Sequence, residues 1–173
     1  MVAGYGLKAN QTKERYLSLV SQNKQGMNDF KIVDLLLVED NQHDAELTLR
    51  ALRKSNLANN LYVVDDGAEA LDFFYCRGKY SGRSMDNPPK AVLLDLKLPN
   101  VSGLEIIKAL KDDQRTASSP IVVLPSSQEE PDIKEAYRLG VNSYVVKPLD
   151  FGHFVTAMSQ VGLYWLLVNK TPF

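Results

Sequence analysis

The chain has 173 residues, of which 45% are hydrophobic, 24% charged and 9% aromatic, a composition that can bury a core and excludes wholesale disorder. Twenty Lys and Arg against 21 Asp and Glu leave a net charge of −1. No basic excess points to nucleic acid and no acidic excess to a charged tail.

Residues 1–31 read as a polar N-terminal arm punctuated by Gly4, Gly6 and Gly26. Tyr16, Leu17, Leu19 and Val20 make the apolar side of a short helix there. The arm lacks the basic region and apolar core of a secretory signal. Residues 32–173 read as one domain with a C-terminal helix and tail.

From Asp34 onward, short apolar runs alternate with helical periodicity. Leu35-Leu36-Leu37-Val38 ends abruptly in Glu39-Asp40, and Asn41 caps a helix carrying Ala45, Leu49 and Leu52. Leu61-Tyr62-Val63-Val64 ends in Asp65-Asp66-Gly67, a strand-to-helix turn leading to Ala70, Leu71 and Phe74. A polar stretch over 77–89 closes at Pro88-Pro89; its Arg77, Lys79 and Arg83 read as a solvated basic loop. Ala91-Val92-Leu93-Leu94 ends at Asp95, and Ser102 caps a helix holding Leu104, Ile106, Ile107 and Leu110. Ile121-Val122-Val123-Leu124 is the fourth run, and a helix over 132–139 stops at Gly140. Ser143-Tyr144-Val145-Val146 ends at Lys147-Pro148, and a last amphipathic helix is expected over 151–168. The longest apolar stretch, around Val161 to Val168, is too short to cross a bilayer. The single cysteine, Cys76, excludes an internal disulfide framework or a CxxC pair. A cytoplasmic protein with no membrane segment is expected.

Five apolar runs without polar alternation suit strands covered on both faces. Strict alternation with helices implies a five-stranded parallel sheet, doubly wound and flavodoxin-like. Such a sheet carries its site beyond the C-terminal ends of the strands. The residues there are Glu39, Asp40, Asp65, Asp66, Asp95, Pro125, Ser126 and Lys147. Adjacent first and third strands would bring Glu39, Asp40 and Asp95 together. Crowded carboxylates repel unless a cation neutralises them, and hard oxygen donors point to Mg²⁺. Lys147 adds a positive charge suited to a phosphoryl group. The chemistry is that of phosphoryl transfer onto Asp95.

Leu37-Val38-Glu39-Asp40-Asn41, Leu94-Asp95-Leu96-Lys97-Leu98-Pro99 with Gly103, and Lys147-Pro148 resemble a response-regulator receiver domain over 34–168. The resemblance implies Asp95 as phosphoacceptor, and Glu39, Asp40, Asp95 and the Lys97 carbonyl as the Mg²⁺ set. It implies Lys147 as the phosphoryl partner, a cis Lys147–Pro148 peptide and Tyr144 as the switch aromatic. The family's hydroxyl position falls on Pro125, which has neither O–H nor N–H, so Ser126 is the substitute candidate. Phosphorylation is expected to survive this departure, with the coupling to Tyr144 weakened or rerouted. The loop over 77–89, Pro120-Ile121-Val122-Val123-Leu124 with Ser126, and Gly162-Leu163-Tyr164-Trp165-Leu166-Leu167 are similar to small receivers of cyanobacterial bacteriophytochromes. That implies a sensor histidine kinase of the phytochrome type as partner, with output through an unknown protein and no DNA-binding domain.

Other readings account for less. His43 and His153, on separate helices, read as surface residues. A phosphatase-type hydrolase needs a second acid two residues after its nucleophile, where Lys97 stands. A flavin or nucleotide module needs a glycine-rich phosphate loop, which the sequence lacks. A degenerate receiver acting as a phosphorylation-independent adaptor draws support from Pro125 alone. The last helix carries more apolar surface than one face can bury, which points to a homodimer through it.

Overall fold

The structure is a computed structural model that describes residues 33–57, 60–126 and 130–171; the expected arm over 1–31 lies outside them. Elements alternate as β1 (Leu35–Val38), α1 (Gln42–Lys54), β2 (Leu61–Val64), α2 (Gly67–Phe74), β3 (Ala91–Leu94), α3 (Gly103–Asp112), β4 (Ile121–Val123), α4 (Glu130–Arg138), β5 (Ser143–Tyr144) and α5 (Phe151–Leu163). All neighbouring strands are parallel, in the order β2-β1-β3-β4-β5. This is the expected doubly wound, flavodoxin-like α/β sheet.

Period-two alternation divides each strand between two cores. Leu36, Val38, Val92, Leu94 and Val123 face Phe73 and Phe74 of α2 and Ile106, Ile107 and Leu110 of α3. Leu35, Leu37, Leu93 and Val122 face Leu49 and Leu52 of α1 and Phe154 and Met158 of α5. The runs lack polar alternation because both of their faces are covered.

The loops after β1, β2 and β3 each end in a specific helix cap. Asn41 accepts from the N–H groups of His43 and Asp44 and starts α1 directly after the first acid pair. Asp66 caps α2 through Ala68 and Glu69. Ser102 and Glu105 form a capping box at α3. A Cβ on Gly103 would stand 2.5 Å from the Asp95 carbonyl oxygen, so only glycine lets α3 start this close to the end of β3.

Four expectations need correction. β5 spans two residues where four were expected, because Pro125 has no N–H to continue the ladder beyond β4. Arg83 is buried, with its guanidinium 3.7 Å over the Phe73 ring and one nitrogen donating to the Asn87 carbonyl at 3.1 Å. It packs the loop after α2 against the core, because its planar cation stacks on an aromatic face. The Lys147–Pro148 peptide is trans, the ordinary preference of the bond. Finally, the last helix runs unbroken over Phe151–Val168, long and apolar enough by length and composition to cross a membrane. Its Phe154, Met158 and Trp165 seat it on the sheet, which accounts for its apolar inner face. Its final turn, Tyr164–Val168, widens to a π-helix closed by Asn169 N–H donating to the Tyr164 carbonyl at 2.7 Å.

Candidate functional site

The strand ladder sets the site. Val38 pairs with Leu94, so the next residues along, Glu39 and Asp95, sit side by side. Their N–H groups extend the ladder, Glu39 donating to the Val64 carbonyl and Asp95 to the Val38 carbonyl, each at 3.0 Å. By alternation, both side chains continue the face of Leu37 and Leu93, which α1 and α5 cover. Lys147 belongs to the same face: Val145 packs there, Tyr144 packs on the opposite core, and Lys147 N–H donates to the Pro125 carbonyl at 2.9 Å.

The result is a buried ion cluster. Lys147 Nζ donates to Glu39 Oε2 at 2.5 Å, to Asp95 Oδ2 at 2.9 Å and to Asp44 Oδ2 at 2.9 Å. The side chains are 7% exposed for Lys147, 1% for Glu39, 9% for Asp95 and 27% for Asp44. The other oxygen of each central acid bonds to backbone: Glu39 Oε1 accepts from Asn41 N–H and Asp95 Oδ1 from Lys97 N–H, both at 3.2 Å. Burial pushes Glu39 up to about 7, against the pull of Lys147. Burial also works against the Lys147 ammonium, but Glu39, Asp95 and Asp44 outweigh it and hold its pKa above that of an ordinary lysine.

The cluster opens into a cleft of about 250 Å³ lined by Glu39, Asp40, Asp95, Lys97, Pro125 and Ser126. Asp40, Lys97 and Ser126 stand exposed at its rim, while Pro125 is buried. Tyr144 is half-buried against the opposite core and does not line the cleft. Asp65 and Asp66 stay apart, as expected of a turn, with Asp66 satisfied by α2 and by the side-chain amide of Asn100. His43 and His153 are exposed, also as expected.

Glu39, Asp40 and Asp95 offer hard oxygen donors of the kind a divalent cation takes. Together with Asp44 they set four carboxylates against one buried ammonium, which leaves negative charge for such a cation to neutralise. The donor chemistry fits, although among the described residues no three His, Cys, Asp or Glu side chains are already gathered around one metal position. In this arrangement Lys147 does the bridging.

Residues 35–159 match the family model for the response regulator receiver domain. The chain belongs to that family. This receiver is similar to the bacteriophytochrome response regulator RtBRR, at 46% identity and a TM-score of 0.66, covering 82% of this chain and 84% of that one. The phosphorylated cyanobacterial phytochrome response regulator RcpA aligns at 32% identity and a TM-score of 0.75, over 82% and 99% of the two chains. The Mn²⁺-bound form of response regulator Rcp1, a protein of Synechocystis sp., aligns at 30% identity and a TM-score of 0.74, over 80% and 98%. The probable methanogenesis regulatory protein FilR2 of Methanothrix harundinacea is 38% identical over 138 residues, 80% of this receiver and 86% of that protein.

The residue that sequence reasoning missed is Asp44. Its signal was present: an acid in the first turn of a helix that starts immediately after Glu39-Asp40. What the sequence hid was the partner, since Lys147 lies 103 positions away.

Proposed function

We propose that this receiver accepts a phosphoryl group on Asp95 from the phosphohistidine of a sensor kinase. The observation that carries the reading is the direct bond between Lys147 Nζ and Asp95 Oδ2 in a cleft rimmed by Asp40, Lys97 and Ser126. An Asp95 carboxylate oxygen attacks phosphorus. The P–N bond breaks with its electron pair going to the imidazole, and a P–O bond to Asp95 forms. Lys147 stays charged and faces the oxygen charge that develops. Glu39, Asp40, Asp95 and the Lys97 carbonyl would hold Mg²⁺, which when bound would supply further neutralisation of negative charge at the site. The Mn²⁺-bound Rcp1 structure supports a divalent cation, and the phosphorylated RcpA structure supports the covalent state. The test is intact mass after incubation with Mg²⁺ and acetyl phosphate. One phosphoryl gained by the wild type and none by Asp95→Asn is expected. No gain with Mg²⁺ binding confirmed would favour the adaptor reading.

The kinase is of the phytochrome type, supported by likeness to RtBRR and RcpA. Output runs through protein contact or altered dimerisation. Leu149, Phe151, Leu163, Tyr164, Leu167 and Val168 are exposed along and beside the last helix, a surface suited to a second copy. Sedimentation should give a dimer that Leu167→Glu dissociates; a wild-type monomer at all concentrations contradicts this.

The switch departs from the family's pattern. Ser126 is the hydroxyl at the cleft, and Tyr144 responds through the loop after β4. With Pro125 at the family's hydroxyl position, that response is weakened or rerouted. Pro125→Thr is expected to lengthen the phosphoryl lifetime or enlarge the response of Tyr144 resonances, and a variant that changes neither would sink the idea.

A further inference from the structure

Lys147 Nζ has three N–H bonds, and three carboxylates take them: Glu39, Asp95 and Asp44. Under the proposed chemistry two of these partners are called away. Asp95 becomes an acyl phosphate and loses its anionic oxygen pair. Glu39 is shared with a cation. Asp44 has neither task. It sits in the first turn of α1, and its backbone N–H is fixed by the Asn41 cap. A carboxylate there is favoured by the positive end of the helix.

We propose that Asp44 is a positioning residue for phosphoryl transfer, holding the Lys147 ammonium through the one carboxylate that neither the cation nor the phosphoryl group claims. Resting on the receiver reading above, this adds a residue to it. A lysine on a four-carbon stem is a mobile point charge, and aiming it costs rotamer entropy. Asp44 has already spent that cost by tethering the ammonium from the side of α1. When the acyl phosphate forms, the N–H that faced Asp95 Oδ2 turns to a phosphoryl oxygen and the N–H to Asp44 Oδ2 stays. The lysine need not search for its place during the reaction, and preorganised charge is worth most in a water-poor cleft.

The experiment compares wild type, Asp44→Asn and Asp44→Ala by the rate of mass gain from acetyl phosphate at saturating Mg²⁺. In that reaction the P–O bond to acetate breaks and acetate leaves. Asp44→Ala is expected to slow the gain about tenfold, the scale of one charge-assisted hydrogen bond partly retained by other partners. Asp44→Asn, which keeps an acceptor oxygen but not the charge, falls between. A second readout separates positioning from folding: the Lys147 ammonium resonance in ¹⁵N-lysine-labelled protein. It is expected sharp in wild type with Mg²⁺ and beryllofluoride, and broadened in Asp44→Ala, with the fold's other resonances unmoved. Equal rates for all three proteins overturn the assignment of Asp44 while leaving Asp95 as acceptor. A faster rate in Asp44→Ala also overturns it, since Asp44 would then be a competitor for the lysine. No mass gain by wild type overturns the receiver reading and this inference with it.

Discussion

Two consecutive acid pairs end neighbouring strands of this sheet, and they have opposite fates. Glu39-Asp40 follows β1, which is paired on both sides, and Glu39 is sealed at 1% exposure against Lys147 and Asp95. Asp65-Asp66 follows β2 at the sheet edge, where Asp65 is exposed and Asp66 caps a helix. The local sequences are alike; the strand order is what separates them. Only the central strand end meets the lysine delivered by the far edge of the sheet. A charged pair becomes chemistry where burial and a partner coincide, and becomes structure where backbone N–H groups satisfy it instead.

The largest expected break in this comparison is Lys147→Met. It leaves Glu39, Asp44 and Asp95 without their shared cation, and removing one member of a buried ion cluster typically costs about 3–5 kcal/mol. Phosphorylation should slow by about a hundredfold or more, the scale for losing a preorganised charge. Mass gain and urea unfolding measure the two effects. A variant that phosphorylates at the wild-type rate would remove Lys147 from the site.

Much of this was legible in sequence and some was not. Strand ends β1 to β3 were readable because both faces of each strand are buried, leaving unbroken apolar runs that stop at an acid. β5 was overcalled because the consequence of Pro125 falls on its neighbour's ladder. Glu39, Asp40 and Asp95 were readable as neighbours because strand order sets the ends of β1 and β3 side by side, and Lys147 was readable because it follows β5 at the same end of the sheet. Asp44 was not, because it joins through a long lysine side chain whose direction depends on the alternation of β5. Arg83 was misjudged because a charged residue in a polar loop gives no hint of the Phe73 ring beneath it.

A subtler contrast is pH. Burial raises Glu39 from 4.5 to about 7, so its protonated form is favoured in the folded state. Its contribution to stability is complete below about 4.5 and is lost as pH rises through about 7. Asp66 runs the other way. Burial opposes its charge, but the Asn100 amide and the N–H groups of Glu69 and Ala68 outweigh this and hold it below its usual 3.8. Its contribution is present above that value and is lost as pH falls through its folded-state pKa. Thermal melts in chelator should therefore fall between pH 5 and pH 8 in wild type and flatten in Glu39→Gln. A slope that survives Glu39→Gln would place its origin elsewhere. The smallest effect belongs to Asp66→Ala, which should cost about 1 kcal/mol by loss of a helix cap and leave the phosphorylation rate unchanged. A slowed rate in that variant would join the edge pair to the site.

The most direct measurement is the position of the phosphoryl group. Protein incubated with Mg²⁺ and acetyl phosphate is reduced with borohydride, which converts an aspartyl phosphate to homoserine, and the residue is located by peptide mass. Homoserine at Asp95, with Asp40, Asp65 and Asp66 intact, is the predicted result. Homoserine at any other acid, or its appearance in Asp95→Asn, would contradict the assignment of the buried lysine-bonded aspartate as the acceptor.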